Sequence, residues 1–177
     1  MPESFELDPV DWISAGAVGE PGQRTFYLQA RQGDTFVAIV VEKGQVAALA
    51  RLAQELLARV GVTVTPDDLD EARQRVVDPI VTVWRGGGMN IGMDEDGARF
   101  VLEVDALDTG DDPEVIDDEP ATARFWMDRD QAVALAAYAA CAVEAGARER
   151  CRLCGRPIDP VDGHVCPATN GHGPLTT

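Results

Sequence analysis

The sequence predicts an α+β fold, in which a mostly antiparallel sheet carries two helices on one face and a zinc knuckle follows at the C-terminus. Two observations predict the sheet and helices: a succession of three strands and one helix occurs twice, and each copy begins at a tryptophan. A third observation predicts the knuckle, because three of the four cysteines lie close together near the end of the chain.

The two copies span about residues 10–61 and 80–147, and each is a three-strand meander followed by a helix. Runs of β-branched and aromatic residues between turn sequences indicate the strands. The copies start at Trp12 and Trp84, and their helices open with Gln45 and Gln131. This shared order favours an internal duplication. We therefore predict a duplicated domain over residues 1–147 and a zinc-knuckle tail over residues 148–177.

The two long helices differ in their apolar pattern. The first, about residues 45–60, has one apolar stripe, which indicates a helix on a sheet whose other face is solvated. The second, residues 129–147, is apolar nearly all round and should be buried on more than one side. Its additional cover could be the tail, the first helix, or a second subunit in a homo-oligomer. A short linking helix over residues 66–76 is predicted to be capped by Thr65.

Two segments resemble insertions. Gly86, Gly87 and Gly88 are not followed by the lysine and helix of a P-loop, so a hairpin or bulge is the favoured interpretation. Residues 105–119 carry eight acidic residues and no basic one. This segment lacks the residue order of a calcium-binding loop, and a solvated loop that could dock a basic partner is predicted instead.

The predicted metal ligands are Cys151, Cys154, His164 and Cys166. Thiolate and imidazole are the donors that Zn²⁺ prefers, and four of them leave no position for water. His172 could replace His164, and a site with one open position would be catalytic. The remaining alternatives are a disulfide and free thiols. Cys141 lies in the alanine-rich second helix, where cysteine usually behaves as a small apolar residue.

Charge excludes some partners. The formal net charge is −16, with 31 acidic and 15 basic residues. Such a surface repels phosphate backbones and anionic lipid, which argues against nucleic acid and membranes as partners. One local exception is a basic group beside the knuckle. It could bind an anion or an acidic peptide, although compensation of the helix dipole is the favoured interpretation. Its members are Arg148, Arg150, Arg152 and Arg156.

The chain also lacks the sequence features of export. Its acidic first residues do not form a basic stretch followed by an apolar run, and no apolar run is long enough to span a bilayer. We therefore expect a cytoplasmic location, where cysteines at this spacing more often bind metal than form disulfides.

The tail pattern is specific: Cys151-Arg-Leu-Cys154-Gly-Arg-Pro157-Ile-Asp-Pro160-Val-Asp-Gly163-His164-Val-Cys166-Pro167, then Asn170-Gly171-His172. With this tail and the opening Phe5-Glu-Leu-Asp-Pro-Val-Asp, the chain resembles an uncharacterised actinobacterial family, domain of unknown function 3090. The resemblance implies no established activity. It implies a genomic association with a histidine-phosphatase-like protein and a protein distantly similar to phosphoinositide kinases, and hence a phosphate-related process.

The function predicted from the sequence is a cytosolic, zinc-stabilised interaction or regulatory protein with a protein partner. One alternative is an enzyme with an open zinc site or an arginine-lined phosphate site. Against it, both histidines lie in the tail, so no Ser-His-Asp or Cys-His pair is evident elsewhere. A second alternative, a nucleic-acid-binding knuckle, would need stacking aromatic residues beside the arginines.

Overall fold

In the computed structural model, seven strands form one sheet, and two helices pack against one of its faces. The structure describes residues 2–20, 22–65, 67–68, 76–77, 80–107, 120–145, 151–154, 156, 158 and 165–169. The side chains of residues 145 and 169 are not described. The predicted α+β class is confirmed, with the predicted order of two meander-plus-helix units. The boundary between the duplicated domain and the tail, at residue 147, stays a prediction.

Four strands precede the first helix, and three more precede the second. The strands are β1 (Phe5–Leu7), β2 (Trp12–Val18), β3 (Thr25–Gln32), β4 (Thr35–Val41), β5 (Trp84–Met93), β6 (Arg99–Ala106) and β7 (Thr122–Asp128). The helices are α1 (Lys43–Arg59) and α2 (Arg129–Ala145), and a short 3₁₀ helix covers Pro167–Thr169. The sequence predicts six strands. The seventh, β1, has three residues, which is too short for an alternating pattern to be detected.

The order of the strands is β1-β7-β6-β5-β4-β3-β2. Each meander stays together, and all neighbouring strands are antiparallel except the pairs β4–β5 and β1–β7. Because β5 runs parallel to β4, the second unit has the same orientation as the first. Its strands β5, β6 and β7 follow those of the first unit in the sheet. β1 pairs in parallel with β7, the last strand of the second unit, in the same way that β5 pairs with β4, the last strand of the first. β1 therefore lies at the edge of the sheet in the place where a third unit would begin.

The core lies between the sheet and the helices. Alternate residues of β6 and β7, such as Leu102 and Phe125, are fully buried there. α1 buries the stripe that contains Val46, Leu49 and Leu57. α2 packs against both α1 and β2, so the additional cover predicted for the apolar helix 129–147 is provided by the first helix. A homo-oligomer through α2 stays a prediction. Neither α1 nor α2 is long and apolar enough to cross a membrane.

Both helices begin with the same capping arrangement. The Glu42 N–H donates to Gln45 Oε1 at 2.6 Å, and the Asp128 N–H donates to Gln131 Oε1 at 3.0 Å. In each case the acid precedes the helix and the glutamine is its third residue, which is the arrangement of a capping box. The glutamines that mark the two copies in the sequence therefore have the same structural role.

The same glutamines also bind the neighbouring parallel strand. Gln45 Nε2 donates to the carbonyl of Gly87, and Gln131 Nε2 donates to the carbonyl of Val10 at 2.8 Å. Gly87 lies three residues after Trp84, which pairs with β4, and Val10 lies three residues after Leu7, which pairs with β7. The two bonds are therefore equivalent in the two units.

The outer face of the sheet is only partly solvated, contrary to the prediction of a wet face. Across the first unit, Ser14, Gln29 and Ala38 lie in one row and are 1%, 1% and 0% exposed. The Gln29 amide accepts a hydrogen bond from the Val77 N–H at 2.9 Å and donates to the Val77 carbonyl at 3.0 Å. Val77, in the connection between α1 and β5, therefore covers part of this half. On the other half, Arg99 lies 4.7 Å from the ring centroid of Trp126.

The predicted linking helix and glycine bulge are both observed in part. Thr65 caps the first turn, because Thr65 Oγ1 accepts from the Asp68 N–H, and its own N–H donates to Asp68 Oδ2. Residues 69–75 lie outside the described residues. The sheet register shifts between Gly86 and Met89, as expected of a bulge.

The predicted acidic loop begins inside the sheet, because Asp105 belongs to β6 and accepts a hydrogen bond from Thr122 Oγ1 at 3.1 Å. A Cβ atom at Gly88 would lie 2.8 Å from Asp105 Oδ2, so a larger residue there would displace this carboxylate. Residues 108–119 lie outside the described residues.

Candidate metal centre

Three cysteine sulfurs converge at the end of the chain. The Sγ atoms of Cys151, Cys154 and Cys166 all lie within 4.8 Å of one another. Those of Cys151 and Cys166 are 3.7 Å apart. Two sulfurs bound to one zinc at about 2.3 Å with tetrahedral angles would be separated by about 3.8 Å. A disulfide would require about 2.05 Å. The distance therefore fits two ligands of one metal ion.

The Cys-x-x-Cys turn positions the first two sulfurs. Residues 152–154 form a turn, which is closed by a hydrogen bond of 2.8 Å from the Cys151 N–H to the carbonyl of Arg156. The backbone N–H groups of Cys154 and Leu153 donate to the Cys151 sulfur and lower the pKa of this thiol to about 6. Such N–H donors stabilise the thiolate that binds metal.

The second cysteine of the turn has a different electrostatic environment. Burial raises the pKa of the Cys154 thiol, against a smaller opposite effect of the Arg156 N–H, which donates to its sulfur. The pKa of the Cys151 thiol is thus lowered, whereas that of its neighbour Cys154 is raised. A cation would remove this difference, because it favours the thiolate at every ligand.

Two of the three clustered cysteines are buried from solvent. Cys151 is 3% exposed and Cys166, which directly precedes the 3₁₀ helix, is 0% exposed, whereas Cys154 is half-buried. Sulfur ligands in a closed environment are typical of structural zinc sites. The structure shows three close cysteines, and this arrangement could hold a soft divalent cation.

The other predicted site residues have different outcomes. His164, His172, Arg148 and Arg150 lie outside the described residues, so their roles stay predictions. Arg152 and Arg156 are exposed beside the cysteines, and an anion site there also stays a prediction. Cys141 lies half-buried in α2, and it is not a member of the described cluster.

Two exposed apolar residues of the tail were not predicted. Leu153 and Val165 are 63% and 61% exposed, and each directly precedes a clustered cysteine. Their position before Cys154 and Cys166 is the only sequence signal that could have identified them, because a side chain next to a ligand usually points away from the metal.

Sequence reasoning also missed a cavity of about 380 Å³ between the loop after α1 and helix α2. Its wall includes two carboxylates, Asp68 and Asp130, and the phenol of Tyr138. Hydrogen bonds from the Thr65 side chain and backbone hold the pKa of Asp68 below its ordinary value. The Asp68 carboxylate therefore serves the helix cap.

Comparison with known proteins gives one match. A family model described as a protein of unknown function (DUF3090) matches residues 5–166 of the chain, which include all three clustered cysteines. No curated protein and no solved structure matches the chain.

Proposed function

The chain belongs to the family of unknown function DUF3090, and we propose that it is a zinc-stabilised interaction protein whose metal has a structural and not a catalytic role. Cys151, Cys154 and Cys166 would bind the ion. The observation that carries this proposal is the separation of 3.7 Å between the Cys151 and Cys166 sulfurs, which matches two corners of a zinc tetrahedron.

His164 is proposed as the fourth ligand. Its spacing from the Cys-x-x-Cys pair and its place two residues before Cys166 complete a set of three sulfurs and one nitrogen. Four protein ligands would leave no position for a substrate or an activated water, which favours a structural role over hydrolysis. His172 is the alternative nitrogen ligand.

A metal would also explain how the tail folds. We call residues 151–154, 156, 158 and 165–169 the metal lobe. Among those lobe residues whose burial is described, only Cys151 and Cys166 are buried. A segment with so little aliphatic core gains little from the hydrophobic effect. Metal binding would therefore supply much of the free energy that folds it.

An interaction role in a reducing compartment is consistent with these features. Free thiols at metal-ligand spacing are typical of reducing compartments, and the four cysteines form no disulfide in the structure. A protein partner is proposed in preference to nucleic acid or a membrane because the net charge of −16 opposes both of those surfaces.

The test is metal analysis followed by cobalt substitution. The purified chain should contain one zinc per molecule, and Co²⁺ in its place should give a tetrahedral thiolate spectrum. Added imidazole should leave that spectrum unchanged, because no coordination position is open. A spectrum that shifts with imidazole would instead indicate an open, catalytic site.

Two pairs of variants identify the ligands. His164→Ala should weaken zinc binding, whereas His172→Ala should not. Cys151→Ser should abolish stoichiometric binding, whereas Cys141→Ser should preserve it. If His172→Ala is the damaging change, the ligand assignment is wrong while the structural role is retained.

A further inference from the structure

The metal lobe exposes two apolar side chains to solvent, and each belongs to the residue directly before a proposed cysteine ligand. Leu153 is 63% exposed and Val165 is 61% exposed. Leu153 lies between Cys151 and Cys154, and Val165 directly precedes Cys166. Single exposed apolar residues are ordinary. Here, however, both belong to short segments whose cysteine sulfurs lie within 4.8 Å of one another, so both are exposed on the same small lobe.

The same surface carries positive charge. Arg152 and Arg156 are both exposed, and they lie on either side of the Leu153–Cys154 turn. The described residues of the lobe include no acidic side chain, although the chain as a whole has a net charge of −16. The described residues of the lobe are therefore basic and apolar, and the acidic residues of this stretch, Asp159 and Asp162, lie outside them.

We propose that Arg152, Leu153, Arg156 and Val165 form a docking surface for an acidic peptide segment of a partner protein that carries a bulky aliphatic side chain. This inference rests on the proposed function, because the bound metal would hold the surface rigid. Guanidinium groups bind carboxylates through paired hydrogen bonds, and the aliphatic side chain would cover Leu153 and Val165. A surface that is already ordered loses less conformational entropy on binding.

The other anionic surfaces fit less well. A bilayer with anionic headgroups would also attract the arginines and accept apolar side chains, but its extended anionic surface would face the rest of the acidic chain as well, whereas a short peptide meets the lobe alone. Single-stranded nucleic acid binds through base stacking on aromatic residues, and the described residues of the lobe contain none. Charge complementarity at the lobe itself therefore favours an acidic peptide.

The test is a titration of the zinc-loaded full chain with fluorescein-labelled synthetic peptides, measured by fluorescence anisotropy. The first peptide has aspartates and glutamates around a Leu-Ile pair. The second has serines in place of that pair, and the third has lysines in place of the acids. We expect saturable binding of the first peptide, weaker binding of the second, and none of the third.

Matched variants locate the surface. Leu153→Ser and Arg156→Ala should each weaken binding of the first peptide by about fivefold or more. Val81→Ser and Arg51→Ala are the controls, because Val81 is 73% exposed and Arg51 is exposed on α1, both outside the lobe. These controls should bind the peptide as the unchanged chain does.

Several results would overturn the proposal. They are equal binding of the acidic and lysine peptides, no effect of Leu153→Ser, no binding of the first peptide, and sedimentation of the chain with phosphatidylserine vesicles in place of peptide binding. Zinc content is measured on every sample. A chain that holds zinc but binds no acidic peptide refutes the docking surface alone, whereas a chain without zinc refutes the proposed function.

Discussion

The Sγ atoms of Cys151 and Cys166 lie 3.7 Å apart although the two residues are 15 positions apart in sequence. Two thiol side chains have little intrinsic attraction for one another, and free cysteines are usually separate small apolar residues. Backbone N–H groups directed at the Cys151 sulfur add a preference for the thiolate. The pair is therefore arranged so that it could bind a cation.

Removal of the metal should loosen the lobe far more than the sheet. The amides of Cys151, Leu153 and Cys154 depend on the closed turn, whereas β6 and β7 are held by a core that includes Phe100 and Phe125. Hydrogen exchange with and without a chelator should show loss of protection in the lobe alone. An equal loss in lobe and sheet would show that the ion does not act locally.

In metal-free chains whose Cys151–Cys154 turn is closed, the lobe should respond to pH through Cys151. Its folded pKa is lowered to about 6, below the unfolded value of about 8.5. The thiolate therefore stabilises the folded lobe fully above the unfolded pKa, and this contribution is lost as pH falls through about 6. Ultraviolet thiolate absorbance should show a step at that midpoint.

The matched variants assign this step to one residue. Cys151→Ser should remove the step in thiolate absorbance near pH 6, whereas Cys141→Ser should leave this step unchanged. A first ionisation close to the ordinary thiol pKa in the unchanged chain would contradict the effect of the Leu153 and Cys154 N–H groups.

Gln45 and Gln131 should contribute similarly to stability, since each closes a capping box and binds the neighbouring strand. Replacement of either by alanine should lower the free energy of unfolding in urea by about 1–3 kcal/mol. Gln54→Ala, an exposed change on α1, should have an effect within about 0.5 kcal/mol. Gln45→Glu separates the two contributions, because it keeps the cap acceptor and removes the donor to Gly87.

An effect at only one of the two glutamines would argue against equivalent units. The same conclusion would follow if either alanine variant were as stable as Gln54→Ala, because the hydrogen bonds would then contribute nothing measurable.

Gln29 should hold the connection between α1 and β5 on the outer face. Gln29→Leu removes both hydrogen bonds to Val77, and at about 0.5–1.5 kcal/mol for each part-buried bond this should reduce the free energy of unfolding by about 1–3 kcal/mol. Exchange of the Val77 amide should become faster. The control is Gln23→Leu at an exposed position. Unchanged protection at Val77 would show that other contacts hold the connection.

The repeated elements could be predicted from the sequence because local signals mark them. Trp12 and Trp84 begin the first strand of each unit, and Gln45 and Gln131 lie in the first turn of each helix. The spacing of the cysteines predicted that their sulfurs lie together for the same reason, since a Cys-x-x-Cys turn needs few residues to orient both sulfurs. These features depend on short segments and on chemistry that the residue types specify directly.

Features that depend on distant residues could not be predicted. β1 has three residues and is defined by its pairing with β7. The cover on the outer face depends on a contact between Gln29 and Val77, which are 48 residues apart. The exposure of Leu153 and Val165 follows from the fold of the lobe around its cysteines, and only the position of each residue before a cysteine marks it in the sequence.

Zinc-edge X-ray absorption on the metal-loaded chain tests the central claim most directly, because it reports the number and type of atoms bound to the ion. We predict one zinc per chain with three sulfur ligands at about 2.3 Å and one nitrogen ligand at about 2.0 Å. A shell with a bound water in place of the nitrogen, fewer than three sulfurs, or cysteines joined as a disulfide without metal would contradict a closed structural site.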